Sequence, residues 1–324
     1  MKIGLDVMGG DFAPKNEVLG AIEVLPELQS GSEVILFGDE TQIKAVCNEK
    51  GFNAAGFQIV HTTEVIGMHD HPARAFSQKP NSSMVTGFKY LSAGLIDGFA
   101  SPGNTGAMMA GVMYTVKTIE GILRPCISCF YPIINGRWGL LLDVGLNADC
   151  KPENLYQYAI LGSLYAKGAL GATNPRVALL NIGAEETKGN IVAKAAYELM
   201  KGSKDFNFVG NIEGNELMTG EKADVVVCDG FVGNVILKTA ESFYRLAAYQ
   251  GIETDFFSRL NYEFHGGTPV LGVNAPVIIG HGSSSPKAIK NMILNTEKTV
   301  RAKMLDRVKD IFKNSSFNKN DNSL

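Results

Sequence analysis

The sequence predicts a layered α/β fold built on a largely parallel sheet, and three observations carry that reading. Short apolar runs of strand length alternate with longer segments of helical periodicity, an alternation that builds parallel sheets with helices on their faces. Run after run ends in a turn of Gly with Ser, Asn, Asp or His before the next helix begins. An Asn135-Gly136 pair between two apolar runs signals a hairpin, so the sheet is expected to be mixed.

Lys2 to Met8 reads as the first strand and leaves through Gly9-Gly10-Asp11. Asp11 is expected to cap a helix with Pro14 near its start and Val18, Ala21, Ile22 and Leu25 on one face. Glu33 to Phe37 is a second strand; Glu40 to Lys50 is a helix that turns Ile43, Val46 and Cys47 inward and stops at Gly51. Phe57 to Val60 makes a third strand. From His61 to Lys79 the periodicity vanishes, and a loop carrying His61, His69, Asp70, His71, Arg74 and Lys79 is expected before Ser82-Ser83 open the next helix. Leu95 to Ala100 is a strand running into Ser101-Pro102-Gly103-Asn104-Thr105-Gly106 and a small-residue helix to Gly111.

Cys126 to Ile133 and Trp138 to Val144 are the strands of the hairpin, and the second exits through Asp143 to Asp149. Pro152 stands near the start of a helix that reaches about Lys167. Val177 to Ile182 is a buried strand, Gly183 to Gly189 its exit, and a helix follows to Met200. Phe206 to Val209 and Val225 to Cys228 are further strands, the latter ending in a turn from Asp229 to Asn234 before a helix. Val277 to Ile279 leads into Gly280-His281-Gly282-Ser283-Ser284 and a helix near Pro286. Residues 1–313 are expected to form a single domain, with room for two subdomains around a central cleft, and 314–324, rich in Ser, Asn, Lys and Asp, a disordered tail.

Composition narrows the function classes. With 45% hydrophobic and 19% charged residues in 324, the chain is ordinary for a globular protein. A formal charge of -3 gives no general pull toward nucleic acid, which is set aside as a partner. Asp6 interrupts the apolar N-terminus early, and no run approaches the roughly 20 apolar residues of a membrane span, so a cytoplasmic protein is expected. Cys47, Cys126, Cys129, Cys150 and Cys228 are an odd, scattered set that suits reduced thiols. Cys126 and Cys129 form a CxxC, but on a strand their side chains face opposite ways, and neither they nor His69 and His71 have partners at zinc spacing. No metal and no cofactor is expected.

In a largely parallel sheet the turns converge at the carboxyl ends of the strands, where such folds bind ligands. Gly103 and Gly106 let backbone approach a bound group, while Ser101, Asn104 and Thr105 offer donors beside the positive end of a helix dipole. Arg74 and Lys79 beside the helix start at Ser82 and Ser83 favour the same anionic guest. Each of these polar residues also has a plainer role open to it as a cap, a turn residue or solvated surface charge. No GxGxxG follows the first strand, and neither GxxxxGK[ST] nor GxSxG occurs, which disfavours a standard dinucleotide site, a Walker site and a hydrolase elbow.

Taken in order, Asp6-Val7-Met8-Gly9-Gly10-Asp11 with Pro14, Arg74 and Lys79 with Ser82-Ser83-Met84, Gly103-Asn104-Thr105-Gly106, Leu141-Leu142-Asp143, Asn181-Ile182-Gly183 with Glu185 and Lys188-Gly189, Asp229-Gly230-Phe231 with Gly233-Asn234, and His281-Gly282-Ser283-Ser284 closely resemble the phosphate acyltransferase family called PlsX. The resemblance runs from residue 1 to about 312. It implies a Rossmann-like layered fold related to isopropylmalate dehydrogenases and phosphotransacetylases, and a homodimer. It also implies transfer of a fatty acyl group from acyl carrier protein to inorganic phosphate, giving an acyl phosphate for phospholipid synthesis that a membrane glycerol-phosphate acyltransferase consumes. The chain departs from the family at Pro102, where a missing N–H removes one donor, and at Leu146, which stands where a small residue is usual. Its segment from Phe243 to Phe264 is shorter than the family's amphipathic region, so Phe256, Phe257 and Leu260 are expected to serve core or dimer packing. A peripheral place at the inner face of the membrane is compatible with the resemblance but not required by these residues.

A thioester has a good leaving group and phosphate is already an anionic nucleophile, so no nucleophilic side chain is needed. Arg74, Lys79, Ser101, Asn104 and Thr105, with Ser82, Ser83, Gly103, Gly106 and Ser283, are expected to bind substrate; Lys188 or His281 is expected to polarise the carbonyl or protonate the thiolate. Asp143, Asn147, Asp229 and Asn234 are expected to orient these groups and the pantetheine arm. A short-chain acyl-CoA phosphotransacylase, a dehydrogenase of related fold and a non-catalytic carrier-protein scaffold stand as alternatives.

Overall fold

The computed structural model describes residues 1–314; of the tail expected from Asn314 onward, residues 315–324 lie outside the described residues. The described residues divide into two compact units, one of residues 1–118 with 262–301, the other of 119–261 with 302–314. In chain order the first unit contributes β1 (Lys2–Asp6), α1 (Lys15–Val24), β2 (Glu33–Gly38), α2 (Glu40–Glu49), β3 (Gln58–His61), α3 (Pro72–Gln78), α4 (Ser83–Ser92), β4 (Gly98–Ser101) and α5 (Thr105–Gly111). The second contributes β5 (Cys126–Pro132), β6 (Trp138–Leu142), α6 (Pro152–Ala169), β7 (Arg176–Leu180), α7 (Ile191–Met200), β8 (Asn207–Ile212), β9 (Val225–Val227), α8 (Gly230–Tyr249) and α9 (Asp255–Ser258). The chain then re-enters the first unit with β10 (Gly267–Leu271), β11 (Val277–Gly280) and α10 (Pro286–Arg301), and α11 (Met304–Asn314) belongs to the second.

In the first unit the strand order is β3-β2-β1-β4-β11-β10, parallel throughout except where β10 runs antiparallel to β11. β1 carries no alternation of polar and apolar residues, because both faces of a parallel strand are covered: Ile3 and Leu5 are fully buried, as are Leu36 on β2 and Ala100 on β4. They form one core with Val18, Ala21 and Val24 of α1 and Ile289, Met292 and Ile293 of α10. Each large apolar side chain so buried stabilises the fold by about 1.5–3 kcal/mol. Gly20 sets the approach of α1 to α10, since a Cβ there would lie 2.5 Å from Ile289 Cβ.

In the second unit the order is β5-β6-β9-β7-β8, with β5 antiparallel to β6 and the rest parallel. The hairpin stands where Asn135-Gly136 predicts it: Gly136 has φ +85°, its N–H donates to the Ile133 carbonyl at 2.9 Å, and Ile133 N–H donates to the Arg137 carbonyl at 3.0 Å. Leu140 to Leu142, Val177 to Leu179 and Val225 to Val227 are buried, and α6 lies close over them because Gly162 has no side chain to meet Val225. Cys126 and Cys129 are buried on β5, and loss of solvent pushes both thiols up, Cys129 to about 12. Arg259 and Leu260 are buried as well, with the Arg259 guanidinium 3.7 Å over the Trp138 ring. Among the described residues no helix is long and apolar enough to cross a membrane.

The structure corrects several expectations. The stretch from His61 to Lys79 is not all loop: Pro72 starts α3, and burial of Ala75 and Phe76 holds this short helix without a readable period. β10 went unpredicted because Pro269 and the flanking glycines read as breakers. Residues 230–234 are not a turn but the first turns of α8, whose N-cap is Asp229. Asp11 does not cap α1; Phe12, Ala13 and Pro14 intervene, Pro14 is the N-cap, and the Asp11 N–H instead donates to the Gly282 carbonyl at 2.8 Å. β1 ends at Asp6 and β6 at Leu142, each two residues early: past Val7 the Met8 N–H donates to the Asp6 carboxylate, and past Leu142 the Val144 N–H donates to the Ile127 carbonyl at 3.1 Å. Leu95 is exposed and precedes β4 rather than starting it.

Candidate active site

In the first unit the exits of β1, β4 and β11 meet. A Cβ on Gly9 would lie 2.8 Å from Gly103 Cα, and one on Gly280 would lie 3.2 Å from Pro102 Cα, so these glycines are what lets the turns touch. Asp6, fully buried at the end of β1, organises them. Its carboxylate accepts the N–H groups of Met8 (3.0 Å) and Gly9 (3.1 Å) and the Ser101 hydroxyl (2.7 Å), and the Ser83 hydroxyl bonds to it as well. Burial outweighs these hydrogen bonds and raises the Asp6 pKa.

The candidate residues separate into those already committed and those with free groups. Ser101 donates to Asp6 and accepts the Gly103 N–H at 3.0 Å, so hydroxyl and N–H both hold the turn. Asn104 caps α5 by accepting the Ala107 N–H at 3.0 Å, while its amide donates to the carbonyls of Gly67 (3.3 Å), Met68 (3.1 Å) and Asp70 (3.0 Å). Lys79 donates to Asp70 at 2.6 Å and to the Val65 carbonyl at 2.7 Å, and its hydrogen bond, with that of the Gly67 N–H, holds the Asp70 carboxyl below the usual range. Ser82 caps α4, accepting the Val85 N–H at 3.3 Å. Thr105 is exposed and Gly106 half-buried in the first turn of α5, where N–H groups have no intrahelical carbonyl, and Gly106 makes room for Pro72. Arg74 is exposed, and its guanidinium enters no ion pair among the described residues. His281 is exposed, its Nδ1 2.8 Å from Ser283 Oγ and its ring stacked on Tyr262 at 4.8 Å.

In the second unit Asp143 is the matching hub. It is fully buried; Oδ1 accepts from the N–H of Ile127 (3.0 Å) and Leu146 (3.3 Å), and Oδ2 from the N–H (2.7 Å) and side-chain amide (2.9 Å) of Asn147. Asn147 passes its amide on to the Pro125 carbonyl at 2.8 Å and its own carbonyl to the Gly230 N–H at 2.7 Å. Asp229 caps α8 through the Val232 N–H at 2.8 Å, and exposed Asn234 lies beside Gly145, whose φ is +134°. Lys188 is exposed on the exit of β7. Its carbonyl accepts from the Asn181 amide at 3.1 Å, its stem lies against Gly183, and its ammonium has no ion pair among the described residues.

A cavity of about 440 Å³ opens at the carboxyl ends of β7 and β9. Leu155, Leu180, Val192, Ala193, Cys228 and Val232 make it apolar; Asn181, Asn190 and Asp229 supply polar groups. The volume is within the range of roughly 300–1,000 Å³ found for small-molecule pockets, and the position is the one at which open parallel sheets take ligands. Sequence reasoning did not locate this cavity, and it named Asp6 without seeing it as the organiser. A strand-end acid three residues before a Gly-Gly pair was the signal that could have found Asp6.

The family model described as "Fatty acid synthesis protein" matches residues 1–250. The chain is 42% identical over 328 residues to a phosphate acyltransferase of Dictyoglomus turgidum, covering 95% of this chain and 96% of that one. It is 41% identical over 333 residues to a phosphate acyltransferase of Acetivibrio thermocellus, covering 97% of each. Among solved structures, a phosphotransacetylase from Streptococcus pyogenes matches with a TM-score of 0.67 at 19% identity, over 92% of this chain and 94% of that one. At that identity the likeness shows the fold, a mostly parallel layered α/β fold of the phosphotransacetylase kind.

Proposed function

The chain belongs to the PlsX family of phosphate acyltransferases and is an acyltransferase, and on that premise we propose that it moves a fatty acyl group from the thioester of acyl carrier protein to inorganic phosphate. The apolar cavity with its polar rim is the observation that carries the reading, because it offers an acyl arm a dry bed beside the exit turn of β7 that bears Lys188. Phosphate is held through the Arg74 guanidinium and the free N–H groups of Thr105 and Gly106; the Asp6, Ser101, Gly103 and Asn104 network fixes the turn they stand on. A phosphate oxygen attacks the thioester carbonyl, charge develops on the carbonyl oxygen, and collapse breaks the C–S bond to release the carrier thiolate. Lys188 stabilises the oxyanion or gives the departing sulfur a proton, with His281 the other candidate.

The product is a mixed anhydride, a reactive acyl donor. We place its use in phospholipid assembly, with a membrane glycerol-phosphate acyltransferase as the consumer. The protein works in the cytoplasm as a homodimer, a reading supported by the exposed apolar row of Phe243, Leu246 and Tyr249 on α8. Incubation with phosphate and long-chain acyl carrier protein, with hydroxylamine trapping of acyl phosphate, tests the central reaction. Phosphate-dependent acyl hydroxamate is the expected product; thiol release that ignores phosphate overturns the reading, and a preference for short acyl-CoA replaces it with the phosphotransacylase alternative.

A further inference from the structure

Glu17 is an acid in a place that acids avoid. It stands on α1 one residue before Val18 and four before Ala21, on the face that packs into the core, and its solvent exposure is 0%. Neither carboxyl oxygen has a hydrogen-bond partner on another residue among the described residues. A Cβ on Gly10 would lie 2.9 Å from Glu17 Oε1, 3.2 Å from the Gly282 carbonyl oxygen and 3.4 Å from Pro102 Cγ. The carboxyl therefore lies against the spot where the exits of β1, β4 and β11 cross, under the glycine that bends through φ +103°.

The surroundings favour a neutral acid. Asp6 at the end of β1 and Asp11 in the first turn are the charges that reach Glu17, and both oppose its ionisation. Of the cations on the packed helices, Lys290 of α10 pairs with Glu27 at 2.9 Å, Arg301 of α10 with Glu297 at 3.1 Å, Lys15 of α1 with Glu49 at 3.4 Å and Lys44 of α2 with Glu40 at 2.6 Å, while Lys287 at the start of α10 is exposed and Lys298 lies near the other end of that helix. From the exit of β11, His281 turns Nδ1 to Ser283. Burial, helped by the two carboxylates, outweighs the lowering by the residue's own backbone N–H and raises the Glu17 pKa to about 8.

We propose that Glu17 is a positioning residue that sets how far into the alkaline range the first unit's anion turn works: protonated, it lets the turns close and leaves their field open to phosphate; ionised, it adds a buried negative charge beneath them and expels the anion. Loss of this proton breaks only the carboxyl O–H bond; the proton leaves to solvent and the electron pair stays on the carboxylate. The inference rests on the reading of the turn as the phosphate site, and the test separates the two.

The experiment measures kcat/KM for phosphate across pH 6 to 10 by hydroxylamine trapping, with Glu17→Gln and the isosteric Glu17→Met beside the parent protein. With a group titrating near 8, the parent falls about tenfold between pH 7 and pH 9 from this source, a fall absent from the neutral variants. An alkaline fall shared by parent and variants overturns the proposal while leaving the acyltransferase reading in place; no acyl phosphate from the parent at any pH overturns that reading instead. Isotope-edited infrared spectroscopy gives a readout without turnover. A protonated carboxyl band at pH 7 that is missing from Glu17→Gln supports the inference, and its absence from the parent refutes it. Failure of both neutral variants to fold also refutes it, since the carboxylate itself would then be holding the turn.

Discussion

The Ser101 hydroxyl donates to Asp6 Oδ2 at 2.7 Å across 95 residues of chain, with both residues fully buried. One side chain thereby ties the end of β4 to the end of β1, and by accepting the Gly103 N–H it also fixes the turn that follows. Replacing Ser101 with Ala leaves the Gly103 N–H without this acceptor and Asp6 with one donor fewer. A buried hydrogen bond to a charged group contributes roughly 1.5–3 kcal/mol, so Ser101→Ala is expected to lower stability by about 2 kcal/mol in denaturant unfolding. A loss below about 0.5 kcal/mol, the scale of surface changes, would show that the pair does not organise the turn.

Much of this arrangement was legible in the sequence, and the reason differs from element to element. β1, β2, β7 and β9 announce themselves because strands covered on both faces must be continuously apolar, and the hairpin because Asn-Gly has few other uses. α3 and β10 were not legible, since a seven-residue helix has too few turns to show a period and Pro269 argues against the strand it sits in. At the site, the turns could be read but not the state of their side chains. Ser101 and Asn104 are buried and Lys79 half-buried, and the bonds that each makes to neighbouring turns, as polar groups drawn out of water must, are not readable from the sequence. Glu17 carried a signal that was passed over: an acid on the inward face of an amphipathic helix.

Glu17 also gives a stability prediction with a fixed sign. Its ordinary value is 4.5 and its folded value about 8, so between those limits the unfolded chain releases the proton while the folded chain keeps it. Stability from this group is whole below about pH 4.5, falls as pH rises toward 8, and is flat above. The difference in unfolding free energy between Glu17→Gln and the parent should widen in favour of Gln by up to about 1.4 kcal/mol per pH unit inside that window. Parallel stability profiles across the window would show that Glu17 titrates alike in both states.

Gly233 sits in the second turn of α8, where glycine ordinarily costs about 0.5–1 kcal/mol relative to Ala. Here a Cβ would overlap the Asp143 carbonyl, which is backbone and cannot rotate away. Overpacking of this kind costs about 1–3 kcal/mol, more than the helix propensity returns, so Gly233→Ala should lower the melting temperature. An unchanged or raised melting temperature would mean that α8 can move off the exit of β6.

Lys188 is exposed and holds no ion pair among the described residues, so its ammonium contributes little to the fold. Lys188→Ala is expected to leave unfolding free energy within about 0.5 kcal/mol of the parent and to reduce turnover by roughly 10² or more in the hydroxylamine assay. Near-normal turnover would pass the oxyanion role to His281, whose Nδ1 is near Ser283.

Ala193 lines the apolar cavity from the first turn of α7, where Asn190 caps the helix by accepting its N–H at 2.8 Å. Phenylalanine there keeps that hydrogen bond, since the N–H is backbone, while filling space now bounded by Leu180 and Val232. If the cavity beds the acyl arm, the substitution removes contacts that only longer chains reach. A difference of a methylene or two in an apolar pocket is worth about 1–3 kcal/mol, so kcat/KM for a long acyl chain should fall by at least about tenfold while a short chain is nearly unaffected. Measuring kcat/KM over a ladder of acyl carrier proteins of increasing chain length checks this. An equal loss at every length would mark general damage to the site, and no loss at any length would place the acyl arm somewhere other than this cavity.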